Sequence, residues 1–201
     1  MTLKQAYTSR FNQVLRQISE NLEIELSSNL QEIKHIDRIN SRPKSIERFL
    51  QKSKKKDDSG ALKYSDPINQ IQDQIGARII VFYLNDIKTV KAQLLKYYTP
   101  IEEKLIIPDS EKEFDYEGKH FIFLIPPDVV PDNIDEGIVP KFFELQIKTL
   151  YQHAFSEASH DLAYKPNIKL TRDQKRKVAY TSAQSWGADQ IFSELVNELL
   201  N

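Results

Sequence analysis

The sequence predicts an α+β domain, a mixed β-sheet surrounded by helices. Two observations carry that prediction. Apolar residues recur at helical spacing near both ends of the chain, whereas its middle holds short β-branched and aromatic runs separated by proline-containing turns. The order of elements is irregular, helix, helix, strand, helix, strands, helix, helix, which favours helices packed around a mixed sheet. With 201 residues, 40% of them hydrophobic and 28% charged, the chain is long enough for one core.

Residues 3–39 place Leu3, Phe11, Val14, Leu15, Ile18, Leu22, Leu26, Leu30, Ile33 and Ile36 at helical spacing. This predicts an amphipathic helical region over residues 1–40, broken near Ser27-Ser28-Asn29. Arg42-Pro43-Lys44 resets the chain, because proline disfavours a helical residue before it and suits the first turn of a helix after it. That next helix is expected from Lys44 to about Lys54. Lys54 to Pro67, with Asp-Asp-Ser-Gly inside it, has no periodicity and reads as an exposed loop. Ile75 to Leu84 is β-branched and aromatic, hence a buried strand, and Asp86 is expected to cap a helix reaching about Tyr98. Ile101 to Pro108, His120 to Ile125 and Phe142 to Ile147 are further strand candidates, with Pro-rich turns from Pro126 to Pro140. Thr149 opens a helix to about Ala163, ended by Pro166, and residues 171–200 read as one or two final helices. Without internal repeat or boundary, residues 1–201 are expected to form a single domain, with a centre at 42–165 and C-terminal helices over 166–201.

Composition excludes several chemistries. The absence of cysteine removes disulfides, thiolate metal sites and a cysteine nucleophile, and it suits a reducing compartment. The longest apolar run, Ile79 to Leu84, is too short to cross a bilayer, and Met1-Thr-Leu-Lys-Gln lacks the apolar core of a signal peptide. A cytoplasmic protein without membrane contact is the expectation. A net charge of −1 argues against a general nucleic-acid binder, yet the charge is segmented. Arg42 to Lys56 has seven bases against Glu47 alone, Glu102 to Glu136 has eleven acids against three lysines, and Lys141 to Lys177 has eight bases against four acids. Two basic segments can focus a polyanion between them.

Carboxylates beside buried strands are expensive unless something positive binds them. Asp73 precedes one strand and Glu144 lies inside another. If those strands are neighbours, the pair can share Mg²⁺ (or Mn²⁺), an ion that favours one or two carboxylates together with substrate phosphates. Otherwise Glu144 faces out of a half-exposed strand and Asp73 caps a turn. His153, Glu157 and His160 share one helix face, but they lack the His-Glu-x-x-His spacing of a zinc site. Tyr116-Glu-Gly-Lys-His120 presents an aromatic ring, a cation and an imidazole at a strand mouth, suited to reading a nucleobase and phosphate.

Arg42-Pro-Lys44-Ser45, Asp73-x-x-Gly76-x-Arg78, Tyr116-x-x-x-His120 and Glu144-Leu-Gln146-Ile-Lys-Thr149 occur in this order, followed by Ala154-Phe-Ser-Glu157-x-x-His160-Asp-Leu-Ala-Tyr164-Lys165. Together they resemble the synthetase domain of the RelA/SpoT family, in the spacing of its small single-domain alarmone synthetases and without a preceding hydrolase domain. The resemblance implies a nucleotidyltransferase-like fold and transfer of pyrophosphate from ATP to a ribose 3′-hydroxyl. It implies that Arg42 and Arg78 hold the adenine, that Lys44 and Lys52 neutralise the ATP phosphates, and that Asp73 binds Mg²⁺. It also implies that Glu144 shares the metal or acts as base, that Tyr116 stacks on the acceptor base, that His120 meets phosphate, and that Gln146, His153 and Glu157 shape the acceptor pocket.

Two positions and one run depart from the family pattern. Lys148 stands where Arg is usual, Gly118 where Ser is usual, and the acid-rich run Asp109-Ser-Glu-Lys-Glu-Phe-Asp precedes Tyr116. Acids there suit the 5′-phosphates of a guanosine nucleotide poorly. GDP or GTP is the leading acceptor. A tRNA 3′ end, as used by toxic family members, is the alternative, and it would bring the basic tracts Lys52 to Lys56 and Lys165 to Lys177 into contact with a nucleic-acid backbone. A third reading is an inactive nucleotide- or partner-binding module. Self-association and an antitoxin partner are further expectations of the resemblance.

Overall fold

Alternation along the central strands sorts their side chains into an apolar and a polar set, and this sorting decides the architecture. The computed structural model describes residues 1–105, 118–132, 134–163 and 170–200. The chain opens with α1 (Leu3–Arg10), a five-residue π-helical segment (Phe11–Leu15) and α2 (Arg16–Asn29). There follow β1 (Ile36–Pro43), α3 (Ile46–Ser53), α4 (Pro67–Gln70), β2 (Ile75–Val81) and α5 (Leu84–Leu94). Then come β3 (Pro100–Leu105), β4 (Lys119–Leu124), β5 (Phe142–Thr149), α6 (Leu150–Ala163) and α7 (Arg172–Leu200). The strands form one mixed sheet in the order β1-β2-β5-β4-β3, parallel only between β2 and β5.

One face of the sheet is the core. Ala77, Ile79 and Val81 of β2, Leu145 and Ile147 of β5 and Phe121 of β4 are buried there, with Val14, Ile18, Leu22 and Leu26 of the N-terminal helices and Ile87, Val90 and Leu94 of α5. Phe121, Phe123 and Phe143 form a run of stacked rings 5.5–5.7 Å apart, and Tyr98 closes it at 5.7 Å from Phe123. α6 packs over β5 and β2, and α7 packs on α6 and α5.

The main correction to the sequence reading is at residues 36–39. The helical period of Leu30, Ile33 and Ile36 continues past Asn29, but the helix does not. His35 takes a left-handed backbone, φ 63°, which no helix continues through. Its carbonyl accepts from the N–H of Phe82 at 2.9 Å, and its ring stacks on Phe82 and approaches Asp86 at 3.3 Å. The chain therefore turns into β1, antiparallel to β2.

Smaller corrections concern ends. The helix expected from Lys44 starts at Ile46, with the Ser45 hydroxyl accepting from the N–H of Arg48 at 3.3 Å. The strand expected to reach Leu84 stops at Val81. Asp86 lies inside the first turn of α5, not at its cap, and reaches back to accept from the N–H of Tyr83 at 3.0 Å. The final residues form one helix of 29 residues. The end of the strand expected at Ile101 to Pro108 and the whole Asp109–Asp115 run lie outside the described residues.

Candidate active site

The second sheet face is polar, and register aligns its side chains in rows. Asn40, Arg78, Gln146 and His120 are paired across β1, β2, β5 and β4. Arg42, Gly76 and Glu144 form the next row, and Arg38, Ile80 and Lys148 the one on the other side. These residues, with α6 as a wall, line an open cavity of about 1100 Å³ that also receives Lys44, Arg48, Asp73, His153, Glu157 and His160. Gly76 leaves space between Arg42 and Glu144, since nothing lies within 4 Å of where its Cβ would stand.

Asp73 sits just before β2 with its side chain 14% exposed, and its Oδ2 meets Lys52 Nζ at 2.7 Å and Lys44 Nζ at 3.0 Å. Burial alone would raise its pKa, but the two ammonium groups outweigh burial and hold it below the usual carboxylate range. Its other oxygen, Oδ1, is buried and has no hydrogen-bond partner among the described residues. A buried carboxylate oxygen left without a donor, on a residue that lines the cavity, is a place where a cation would supply the missing partner.

Glu144 follows the same pattern. Burial and the nearby charge of Asp73 raise its pKa, whereas hydrogen bonding and charge from His120 and a bond from Gln146 lower it, and the net direction is down. His120 Nδ1 is 3.4 Å from Oε1, and Gln146 Nε2 donates to Oε2 at 3.2 Å. Both carboxylates are thus held ionised. Among the described residues no group of three or more His, Asp or Glu is placed to hold a metal ion by itself.

Arg78 reaches across to α6. Its Nη1 meets Glu157 Oε1 at 2.6 Å and His153 Nδ1 at 3.2 Å. Partial burial and the Arg78 charge lower the pKa of His153, so it is neutral near pH 7 and can accept from the guanidinium. The one-face placement of His153, Glu157 and His160 expected from their spacing is what lets all three line the cavity.

The structure therefore brings together Arg42, Lys44, Asp73, Arg78, His120, Glu144, Gln146 and His153, with Lys52 joined through Asp73. Tyr116 lies outside the described residues, as do Tyr164 and Lys165. Arg38 and Asn40 were missed because their segment read as helix, and their two-residue spacing with Arg42 was the available signal. Lys148 is only 4% exposed and donates to Ser156 Oγ at 3.0 Å. Gly118 has a structural reason: a Cβ there would collide with the Ile147 carbonyl and the Lys148 side chain.

Residues 41–169 match the family model described as a region found in RelA / SpoT proteins. Among proteins of curated function none matches the sequence. Among solved structures, small alarmone synthetase 1 from Bacillus subtilis bound to its product pppGpp is 24% identical, with a TM-score of 0.73 over 92% of this chain and 94% of that one. The same synthetase bound to AMPCPP is 20% identical, with a TM-score of 0.71 over 98% and 97%. A GTP pyrophosphokinase family protein from Streptococcus pneumoniae is 20% identical, with a TM-score of 0.75 over 99% and 96%. At these identities the likeness shows the shared fold.

Proposed function

This chain belongs to the RelA/SpoT family, and we propose that it is an ATP-dependent pyrophosphokinase that transfers the β,γ-pyrophosphoryl group of ATP to the ribose 3′-hydroxyl of GDP or GTP, releasing AMP. The observation that carries this reading is the placement of two ionised carboxylates, Asp73 and Glu144, at one cavity ringed by Arg38, Arg42, Lys44, Arg48, Arg78 and Lys148. Such a ring suits a triphosphate and the charge that spreads over its oxygens during transfer.

Lys44 and Lys52, which share Asp73 Oδ2, are long enough to turn from the carboxylate to ATP phosphates. Arg42 and Arg78 offer flat faces to the adenine. Glu144, ionised and oriented by His120 and Gln146, accepts the proton of the 3′-hydroxyl as its oxygen bonds to the β-phosphorus and the bond to the α-phosphate oxygen breaks. Asp73 and Glu144 are the residues that would hold Mg²⁺ or Mn²⁺, whose charge would offset that of the phosphates.

A tRNA 3′ end is the second acceptor to test, because Lys54 to Lys56 and Arg172 to Lys177 are exposed and present two basic tracts. Purified protein with Mg²⁺ and γ-labelled ATP is offered GDP, GTP, ATP alone and deacylated tRNA. Label is expected on GDP or GTP with matching AMP. Label on tRNA transfers the assignment to the second acceptor, and no transfer by folded protein replaces the enzyme reading with a nucleotide- or partner-binding module.

A further inference from the structure

The N-terminal helix lies outside the segment matched by the family model, yet it is bonded to both chain segments that form the Asp73 site. Arg10, at the end of α1, is 6% exposed. Its Nη1 donates to the Ile68 carbonyl at 2.8 Å and to Gln74 Oε1 at 3.2 Å, both neutral acceptors. Gln74, 2% exposed, donates in turn to the carbonyls of Ile68 and Ile71 at 2.7 and 3.0 Å. One turn earlier Tyr7, fully buried, donates its hydroxyl to the Lys44 carbonyl at 2.8 Å and lies parallel to the Phe49 ring, 3.6 Å away. The N–H of Lys44 donates to the Gln74 carbonyl at 2.8 Å, which closes a ring of contacts through Tyr7, Lys44, Gln74 and Arg10.

Burying a guanidinium against neutral partners costs more than filling the same space with an apolar side chain. Burial accordingly lowers the Arg10 pKa, and the negative charge of Asp73 adds to burial in raising that of Tyr7. What the cost secures is position. Gln74 is the chain neighbour of Asp73, Lys44 is one of the two cations on that carboxylate, and Phe49 belongs to the helix that carries the other, Lys52.

We propose that Arg10 and Tyr7 are positioning residues, which set where the Asp73 carboxylate and its lysines stand and so tie the first helix to metal and ATP binding. The proposal rests on the reading of Asp73 given above. It gives the N-terminal helix a role in the site in addition to its share of the core.

The test compares full-length wild type with Arg10→Met, Arg10→Lys and Tyr7→Phe in two measurements. One is Mn²⁺ affinity in the presence of a non-hydrolysable ATP analogue, read by electron paramagnetic resonance. The other is kcat with KM for ATP and for acceptor, alongside thermal midpoints. Folded Arg10→Met and Tyr7→Phe are expected to bind Mn²⁺ about tenfold more weakly, the scale on which outer partners of metal ligands act. Their kcat should fall by a similar factor with an unchanged acceptor KM, and Arg10→Lys should recover part of the loss. Wild-type Mn²⁺ affinity and kcat in folded Arg10→Met or Tyr7→Phe, with only the melting temperature lowered, overturn the proposal, as does wild-type protein that binds no Mn²⁺. Should Arg10→Met fail to fold, Tyr7→Phe and Arg10→Lys decide. If wild type binds Mn²⁺ but transfers no label, the enzyme reading fails while the Mn²⁺ comparison still judges the positioning.

Discussion

Asp73 and Glu144 owe their chemistry to their neighbours. Asp73→Asn or Glu144→Gln should abolish transfer with the fold retained, measured as AMP release together with circular dichroism; wild-type rates in either variant would remove that residue from the site. Asp73 also links stability to pH. Burial raises its pKa, yet Lys44 and Lys52 bring it below the ordinary value of about 4. A lowered folded-state pKa means stability that is present above the unfolded value and lost as pH falls through the folded one. The melting temperatures of wild type and Asp73→Asn should therefore differ at about pH 7 and converge below about pH 4; a constant gap would show that the ion pairs add no stability. Gly118 makes a steric prediction. Gly118→Ser, which restores the family's usual residue, should destabilise the protein by about 1–3 kcal/mol in urea titrations, because its Cβ would collide with the backbone carbonyl of Ile147.

Among the elements, α6 is held at its start by hydrogen bonds within its first turn and to α7. The Thr149 hydroxyl accepts from the N–H of Gln152 at 3.1 Å and donates to Asp189 of α7 at 2.5 Å, while Gln152 Oε1 accepts from the N–H of Thr149 at 3.0 Å. Thr149→Val keeps the shape and the backbone bond to Gln152 but loses the two bonds of the hydroxyl, and should cost about 1–3 kcal/mol of stability by chemical denaturation. The motifs Asp73-x-x-Gly76-x-Arg78 and Glu144-Leu-Gln146 were legible through their resemblance to the family pattern, and Asp73 and Glu144 also as carboxylates set beside apolar strands. The parallel pairing of β2 with β5 was not legible, since it depends on contacts about 70 residues apart. β1 was misread for a local reason: its site face is polar, so Ile36 reads as the last member of a helical series and Arg38 and Asn40 as its solvent side. Besides the two-residue spacing of Arg38, Asn40 and Arg42, what rules out a helix is the left-handed backbone of His35, which sequence does not display.

Across the whole molecule the nearly neutral net charge hides a focused field. Bases from β1, α3, β2 and β5 converge on one cavity, and carboxylates from three segments face them. Substrate capture should therefore be salt-sensitive, with kcat/KM for ATP falling steadily as NaCl rises from about 0.05 to 0.5 M; a flat response would mean that the convergent charge does not guide ATP. No helix among the described residues is long and apolar enough to cross a membrane. The most direct measurement of the central claim uses α-labelled ATP with Mg²⁺ and the acceptors named above, and separates AMP from ADP. Pyrophosphoryl transfer predicts labelled AMP in step with acceptor consumed and lost in Glu144→Gln. Labelled ADP instead, or AMP formed equally without acceptor, would contradict the account.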